Sequence, residues 1–168
     1  MQNIIKDGLV FADDWQVLRP DAAGLLPEVD ASAAVIVPWA HWRLEVESWR
    51  QRRSPVAVWL APSDEPLELL PYLNLFTLVA IDFPSFTDGR GYSLARLLRE
   101  RYNYAGELRA LGDVWQDQLQ ALWQVGFDSF EIKQGKPLEA SVRGLGSFSE
   151  HYQSNARQPL PLFRRSIT

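Results

Sequence analysis

The chain of 168 residues contains no cysteine. This absence excludes disulfides, thiolate catalysis, iron–sulfur clusters and zinc sites built from cysteine. The sequence has only two histidines, His41 and His151, and neither has another histidine or a carboxylate pair at the spacing of a metal site. We therefore expect no metal centre, and no cofactor is evident in the sequence.

The chain also lacks an excess of basic residues and any long apolar run. Its formal net charge is -4, which argues against binding to nucleic acid or to anionic membranes, because both depend on clustered Lys and Arg. No segment approaches the roughly 18 consecutive apolar residues of a membrane span, and the N-terminus has no basic segment followed by an apolar run. We expect a cytoplasmic protein without nucleic-acid or membrane partners.

From residue 33 onward, continuous apolar runs alternate with segments of helical periodicity. This pattern is typical of strands that are buried on both faces and joined by crossover helices. The runs predict strands at residues 35–39, 56–60, 78–83, 107–111 and 130–133. The fold class is therefore α/β with a mostly parallel sheet, either an open doubly wound sheet or an incomplete βα barrel.

The first residues follow a different pattern. Two short apolar runs flank Asp7-Gly8, a pair suited to a two-residue hairpin turn, and residues 15–18 predict a third short strand. We expect residues 1–30 to form an N-terminal β-hairpin appendage and loop, residues 31–146 the α/β domain, and residues 147–168 an extended C-terminal arm.

Two helices have clear apolar stripes. Trp39, Trp42, Val46 and Trp49 recur at helical spacing and predict one helix. Arg50, Arg52 and Arg53 follow it and form either a basic patch or the cations that favour a helix C-terminus. A second helix is predicted from Asp113, which has the capping-box spacing with Gln116.

The loop after the third buried strand is the strongest candidate for a site, because ligands of parallel sheets bind at the carboxyl ends of the strands. Gly89 and Gly91 flank Arg90, so backbone amides could approach an anion while the guanidinium forks around it. Tyr92 follows, and a helix predicted to begin at Ser93 would add its positive end. The alternative is a plain structural turn, since the segment matches neither a P-loop nor a dinucleotide fingerprint.

Two charges lie within apolar strands. Asp82 closes the third buried strand and Arg109 lies inside the fourth. A buried charge is costly unless it is paired, so these residues either pair with one another or with other strand-end charges, or they face a polar pocket. Asp113 lies at the same edge, as part of an anion site or as a helix cap. Catalytic residues are not identified, and Asp82 and Asp88 are the candidates for moving a proton.

The segment from residue 82 to 130 resembles a bacterial family of unknown function whose members carry the label of an oxidoreductase associated with sulfite reduction. The resemblance is carried by Phe83-Pro84, Phe86 and by residues 88–93, 95–99, 106–110, 112–114 and 126–130. It implies a companion of the siroheme-containing sulfite reductase in assimilatory sulfate reduction. The residues themselves do not support independent electron transfer, because the chain has neither cysteine nor a dinucleotide fingerprint.

The resemblance thus favours an accessory protein of assimilatory sulfite reduction, which binds sulfite reductase or a small oxyanion through the edge around Arg90 and Arg109. The alternative is an enzyme for a small molecule that bears a phosphate or sulfur oxyanion. In that enzyme Arg90 and Arg109 hold the anion, and Asp82 or Asp88 moves the proton. A third alternative is a structural or interaction subunit with no ligand.

Overall fold

A computed structural model describes residues 2–131 of the chain. The end of the strand predicted at 130–133 and the arm predicted at 147–168 lie outside these residues. One sheet of eight strands organises the described part. The strands are β1 (Gln2–Lys6), β2 (Leu9–Asp13), β3 (Trp15–Val17), β4 (Ala34–Pro38), β5 (Val56–Leu60), β6 (Leu78–Phe83), β7 (Glu107–Gly112) and β8 (Ser129–Glu131).

The strands are ordered β2-β1-β8-β7-β6-β5-β4-β3 across the sheet. Every neighbouring pair from β8 to β3 is parallel, whereas β1 is antiparallel to both β8 and β2. The predicted α/β class with a mostly parallel sheet is confirmed. So is the N-terminal hairpin, whose turn residues Asp7 and Gly8 have φ values of 50° and 73°.

The sheet curls until its two edges meet. β2 and β3 stand at opposite ends of the strand order, yet only Asp14 separates them along the chain. Because consecutive Cα atoms are about 3.8 Å apart, the two edges lie side by side at Asp14. The sheet is therefore nearly barrel-shaped.

Helices are short and cover one face of this curled sheet. They are α1 (Trp39–Trp42), α2 (Val46–Arg50), α3 (Pro66–Leu69), α4 (Arg90–Arg96) and α5 (Leu119–Gln124). Three tighter or wider turns accompany them, a 3-10 segment at Leu70–Leu75, a π segment at Leu97–Arg101 and a 3-10 segment at Gln116–Gln118. Across residues 2–131, none of the helices has the length and apolar character needed to cross a membrane.

Alternate residues of each strand enter two separate cores. Val37, Leu60 and Ile81 pack with helix residues such as Trp42 and Leu98 on the outer face. The inner face holds a smaller core made from strand residues and their flanks, Ile36, Ala57, Trp59, Leu78, Ala80 and Leu111, with Trp15, Val17 and Ala61 packed against it. Since the described helices pack on the outer core alone, the arrangement is that of an incomplete βα barrel and not of a doubly wound sheet.

The N-terminal strands are integral to this sheet, because β1 pairs with β8 and β3 pairs with β4. The boundary between an appendage at residues 1–30 and the remaining domain stays a prediction. Through this pairing, residues 2–17 complete the barrel wall. They bring the side chains of Lys6, Asp13, Trp15 and Val17 to the barrel interior.

Two helix predictions are wrong in detail. The tryptophan stripe predicted one helix, but α1 ends at Trp42 and α2 begins at Val46, since Glu45 leaves the helical region at φ -129° and ψ 42°. The later helix does not begin at Asp113 either. Gly112 turns the chain at φ +90°, and the first helical residue is Gln116. There the Gln118 side chain accepts from the backbone N–H of Trp115 at 3.0 Å.

Candidate functional site

The predicted site residues other than Arg109 lie at the carboxyl ends of β6 and β7. Asp82 is the second-last residue of strand β6, and residues 88–93 form the loop and first helical turn that follow. Asp113 follows β7 and reaches across to this loop, where its Oδ2 accepts from the backbone N–H of Phe86 at 3.1 Å. The structure therefore brings Asp113 and the glycine-arginine loop together at one edge of the sheet.

Arg90 is neutralised within its own loop. Its Nη2 and Nε donate to the carboxylate of Asp88 at 2.7 Å and 3.0 Å, and its backbone N–H donates to the same carboxylate at 3.1 Å. These hydrogen bonds hold the pKa of Asp88 below its usual range and raise the pKa of Arg90. The helix begins at Arg90 and not at Ser93, which is exposed within it. This geometry matches the structural turn that the sequence left open.

The two glycines of the loop have different roles. A Cβ on Gly91 would lie 2.5 Å from the Phe83 ring, whereas a Cβ on Gly89 would have no atom within 4 Å. Tyr92 also packs on Phe83, edge to face with a centroid distance of 5.6 Å. Burial raises the pKa of Tyr92 and outweighs the lowering effect of its hydrogen bond with Gln118. Gly91 and Tyr92 therefore serve the packing of α4 on β6.

Arg109 lies inside the barrel in a closed charge cluster. Its side chain is 2% exposed and donates to Asp13 Oδ2 at 2.7 Å, to Glu107 Oε1 at 2.8 Å and to Ser129 Oγ at 3.1 Å. Lys6 Nζ donates to the other oxygen of Glu107 at 2.6 Å. Two cations thus face two carboxylates, and the set is neutral. We name Lys6, Asp13, Glu107, Arg109 and Ser129 the interior cluster.

Two opposing effects act on the pKa of Glu107 in the interior cluster. Burial alone would raise the pKa of its carboxyl, but hydrogen bonds from Lys6, Ser129 and Arg109 outweigh burial and lower that pKa. The arginine is therefore matched by a Glu107 carboxylate that stays ionised. Arg109 and Asp82, which the sequence allowed to pair with each other, have different partners.

Asp82 pairs with Arg19, a residue that the sequence reading missed. Arg19 Nη2 donates to Asp82 Oδ1 at 2.7 Å. The Arg19 guanidinium also lies over the ring of Trp59 at 5.4 Å from its centroid. Burial tends to lower the pKa of Arg19, but the hydrogen bond and charge of Asp82 and the charge of Glu131 together raise it. Arg19 lies in a loop without periodicity, 63 residues from its partner, so no local signal identified it.

A cavity of about 560 Å³ opens beside Arg19, where β2 passes into β3. Its wall includes Asp13, Asp14, Trp15, Gln16, Val17, Arg19 and Glu131. Three carboxylates and one guanidinium line it, and Asp13 is already engaged by Arg109. The described wall is net negative, so an oxyanion would bind there only in direct contact with Arg19. The volume lies within the range of ligand pockets, about 300–1,000 Å³.

The described residues provide no group of three or more His, Asp or Glu side chains placed to hold a metal ion. His41 lies after β4, and its Nε2 is 2.9 Å from the carbonyl oxygen of Gly24. The cavity beside Arg19 has the volume for a small organic ligand.

Phe86 is the exposed aromatic of the strand-end loop, at 45% exposure. Its ring packs edge to face on Trp115 at 5.7 Å, and its carbonyl oxygen accepts from Gln118 Nε2 at 3.2 Å. Trp115 in turn donates from Nε1 to Asp113 Oδ1 at 2.8 Å. Asp113, which was predicted as a cap or an anion ligand, therefore positions the loop that displays Phe86.

Comparison with known proteins identifies a family. A family model described as "bacterial protein of unknown function (DUF934)" matches residues 57–163, which is more than half of the chain. Neither the curated proteins nor the solved structures contain a match. The predicted resemblance to a bacterial family of unknown function is confirmed, and this description carries no statement on oxidoreductase activity or sulfite reduction. The chain belongs to the DUF934 family of bacterial proteins.

Proposed function

We propose that this chain is a cytoplasmic accessory protein of assimilatory sulfite reduction, and that it binds siroheme sulfite reductase through the surface around Phe86. The pathway is supported by the sequence resemblance described above, carried by segments such as 88–93 and 106–110. The mode of action is supported by the strand-end edge, which is the part of a parallel sheet where function concentrates.

The observation that supports partner binding is that the Phe86 side chain is exposed and held in a fixed position. An exposed aromatic side chain that is already held in place loses little conformational freedom on binding, which is a property of interface hot spots. Phe86 is held through its backbone N–H by Asp113, through its carbonyl by Gln118 and through its ring by Trp115. A rigid apolar anchor at the functional edge suits a protein partner better than a small polar ligand.

The pairing of the two predicted anion-binding arginines also favours a protein partner over an oxyanion. An oxyanion site needs an uncompensated cation, but Arg90 is paired with Asp88 and Arg109 is enclosed by Asp13 and Glu107. A free anion would have to displace a carboxylate that is already ionised and hydrogen-bonded. The edge is therefore suited to a partner whose binding leaves these pairs in place.

The direct test is binding of the purified chain to siroheme sulfite reductase from the same bacterium, measured by biolayer interferometry. We expect Phe86→Ala to weaken binding by at least about tenfold, as truncation of a hot spot does. Leu75→Ala is the matched control, because Leu75 is 50% exposed but precedes β6 at the opposite edge. Absence of binding by the wild type, or equal losses in both variants, would refute the proposal.

A growth experiment tests the pathway separately. A strain without the gene should grow more slowly with sulfate or sulfite as its sole sulfur source, and the wild-type gene should restore growth while Phe86→Ala does not. Growth with cysteine should be unaffected. Unchanged growth on sulfate and sulfite would remove the assignment to sulfite reduction, whatever the binding assay shows.

A second candidate function is an enzyme for a small molecule that bears a phosphate or sulfur oxyanion. The observation in its favour is Arg19, which offers a guanidinium to the 560 Å³ cavity with Asp82 beside it as a proton acceptor or donor. Titration with sulfite, sulfate, phosphate, FMN and NADPH should then change tryptophan fluorescence, since Trp59 lies under Arg19. Arg19→Gln should abolish the response and Arg90→Gln should not. No response to any of these compounds would eliminate this candidate.

A further inference from the structure

A second cavity lies at the opposite end of the sheet, where the chain leaves α2 and enters β5. It has a volume of about 230 Å³. Its wall includes Trp42, Trp49, Arg50, Arg52, Ser54, Val56, Leu75 and Phe76. Val56 is the first residue of β5 and Phe76 precedes β6, so this cavity is at the amino ends of the parallel strands. It is thus separate from the edge that carries Phe86.

The described wall contains two arginines and no carboxylate. Arg52 Nη2 donates to the backbone oxygens of Asp30 and Ala33 at 2.6 Å and 2.8 Å. Both acceptors are neutral, and the nearby Asp30 carboxylate is itself engaged by Ser32. Arg50 is half exposed and meets Glu47 at 3.5 Å, on the surface of α2. The wall is therefore net positive.

This geometry revises one interpretation of the arginine run at the end of α2. Cations favour a helix C-terminus only within its last turn, and α2 ends at Arg50. Arg52 lies beyond the helix, where it fixes the loop at residues 30–33 and enters the cavity wall. The helix dipole therefore accounts for Arg50 and leaves Arg52 unexplained.

Two donors in the wall are buried without an acceptor, Trp49 Nε1 and Arg52 Nε. Buried N–H groups are nearly always hydrogen-bonded, so each exception requires a physical reason. A ligand oxygen that accepted from both would remove the cost of leaving them unpaired. Neither atom faces solvent, so binding requires a small turn of the Trp49 ring and of the Arg52 side chain into the cavity.

We propose that this cavity is a binding site for a small carboxylate with a flat apolar body. The carboxylate would accept from Trp49 Nε1 and Arg52 Nε, with Arg50 supplying a further positive charge. Phe76, Trp42 and Leu75 would contact the apolar body. The volume is below the range of about 300–1,000 Å³ for drug-sized ligands, which restricts the ligand to the size of a single substituted ring.

The proposal is tested on the full chain by nitrogen-15 NMR, with benzoate as the probe. The chain has 7 tryptophans, and the indole resonance that disappears in Trp49→Phe identifies Trp49. Millimolar benzoate should produce a saturable shift of the Trp49 indole N–H and of the Arg52 Nε–H. Inorganic phosphate is the second arm, and it should bind more weakly because it has no apolar body. Equal shifts with phosphate would overturn the carboxylate assignment, and no saturable shift with benzoate would overturn the site.

Variants distinguish hydrogen bonding by the two donors from nonspecific attraction of benzoate to positive charge. Trp49→Phe keeps an aromatic ring and removes only the N–H, so benzoate should bind about tenfold more weakly, the effect of one hydrogen bond to a charged group. Arg52→Lys keeps the charge and removes Nε, with the same expected loss. Arg53→Ala is the matched control, since Arg53 is exposed and is not part of the described cavity wall. Affinity that falls in Arg53→Ala as much as in Trp49→Phe would show nonspecific attraction and refute the proposal. Unchanged thermal midpoints of the variants establish that they are folded.

Discussion

Arg109 on β7 donates from Nη1 to Oδ2 of Asp13 at 2.7 Å, although 96 residues separate them in the sequence. Asp13 is the last residue of β2, next to the point where the two edges of the sheet meet. The bond therefore ties the centre of the parallel sheet to the strand that closes the barrel. It also explains how a buried arginine is tolerated, because its charge is matched within the barrel.

Loss of Arg109 should destabilise the fold strongly. Arg109→Ala leaves Asp13 and Glu107 without their shared cation in a buried site, and removal of one partner from such a pair costs about 3–5 kcal/mol. Urea unfolding at neutral pH measures this free energy. Arg90→Ala is the control, because it removes a surface pair with Asp88, and surface pairs contribute little to stability. Similar losses in the two variants would contradict the interior role of Arg109.

Acid should destabilise the protein partly through Glu107. Its pKa in the folded chain is below the ordinary value of 4.5, so the unfolded chain binds more protons as the pH falls. The contribution of Glu107 is therefore complete above the ordinary pKa and is lost as the pH falls through the folded-state pKa. As the pH decreases below about 4.5, we expect the thermal midpoint of the wild type to decrease. The midpoint of Glu107→Gln should be lower than that of the wild type at neutral pH and should decrease less in acid.

The control for this pH dependence is Glu28→Gln, which removes one negative charge at an exposed position. Its thermal midpoint should follow the wild-type acid limb. If Glu107→Gln also followed that limb in parallel, the hydrogen bonds from Lys6, Ser129 and Arg109 would not hold the carboxylate ionised, and the charge balance of the interior cluster would be wrong.

The two glycines beside Arg90 should respond oppositely to alanine. Gly91→Ala places a methyl group 2.5 Å from the Phe83 ring, and overpacking of this kind costs about 1–3 kcal/mol. Gly89 has φ -81° and open space around it, so Gly89→Ala should be neutral or stabilising by about 0.4–1 kcal/mol through the unfolded state. Chemical denaturation of both variants checks this. Equal destabilisation would indicate that both glycines serve one backbone site, as an anion loop requires.

The buried strands could be predicted because continuous apolar runs, such as residues 78–83, indicate strands that are buried on both faces. Helix bounds were less predictable, since the tryptophan stripe from Trp39 to Trp49 continues in phase across the break at Glu45. Tertiary contacts keep both halves on the same core, so the apolar period does not reveal that the backbone leaves the helix between them.

The ion pairs of the site could be predicted only where the two residues are close in the sequence. Asp88 and Arg90 are two residues apart, and their pairing can be proposed from the sequence. The pair Arg19–Asp82 requires the barrel to bring a loop residue over Trp59. The pair Arg109–Asp13 requires the strand order, which places β2 near β7 through β1 and β8. Sequence patterns fix the face of a strand but not the neighbours of that strand, so these partners could not be foreseen.

Arg99 should make a large contribution to the stability of the fold. Its side chain is only 16% exposed, whereas that of Arg96 on the same helical segment is 56% exposed. Nη1 donates to the carbonyl oxygens of Tyr104 and Gly106 at 2.6 Å and 2.8 Å, and Nε donates to that of Gly126 at 2.9 Å. Nη2 pairs with Asp128. One guanidinium therefore joins the loop before β7 to the loop before β8.

Arg99→Ala should cost about 3–5 kcal/mol, because three carbonyl groups and one carboxylate lose a charged donor at a largely buried site. Arg99→Lys should recover part of this loss, since a single ammonium cannot replace the planar set of donors. Arg96→Ala is the matched control on the same helical segment, and its exposed pair with Glu100 is worth about 0.3–0.5 kcal/mol. Urea unfolding measures the free energies, and hydrogen exchange should show faster exchange at Leu108, whose N–H donates to Asp128 at 2.8 Å. Exchange at Leu108 that stayed slow in Arg99→Ala would show that Asp128 holds β7 without the arginine.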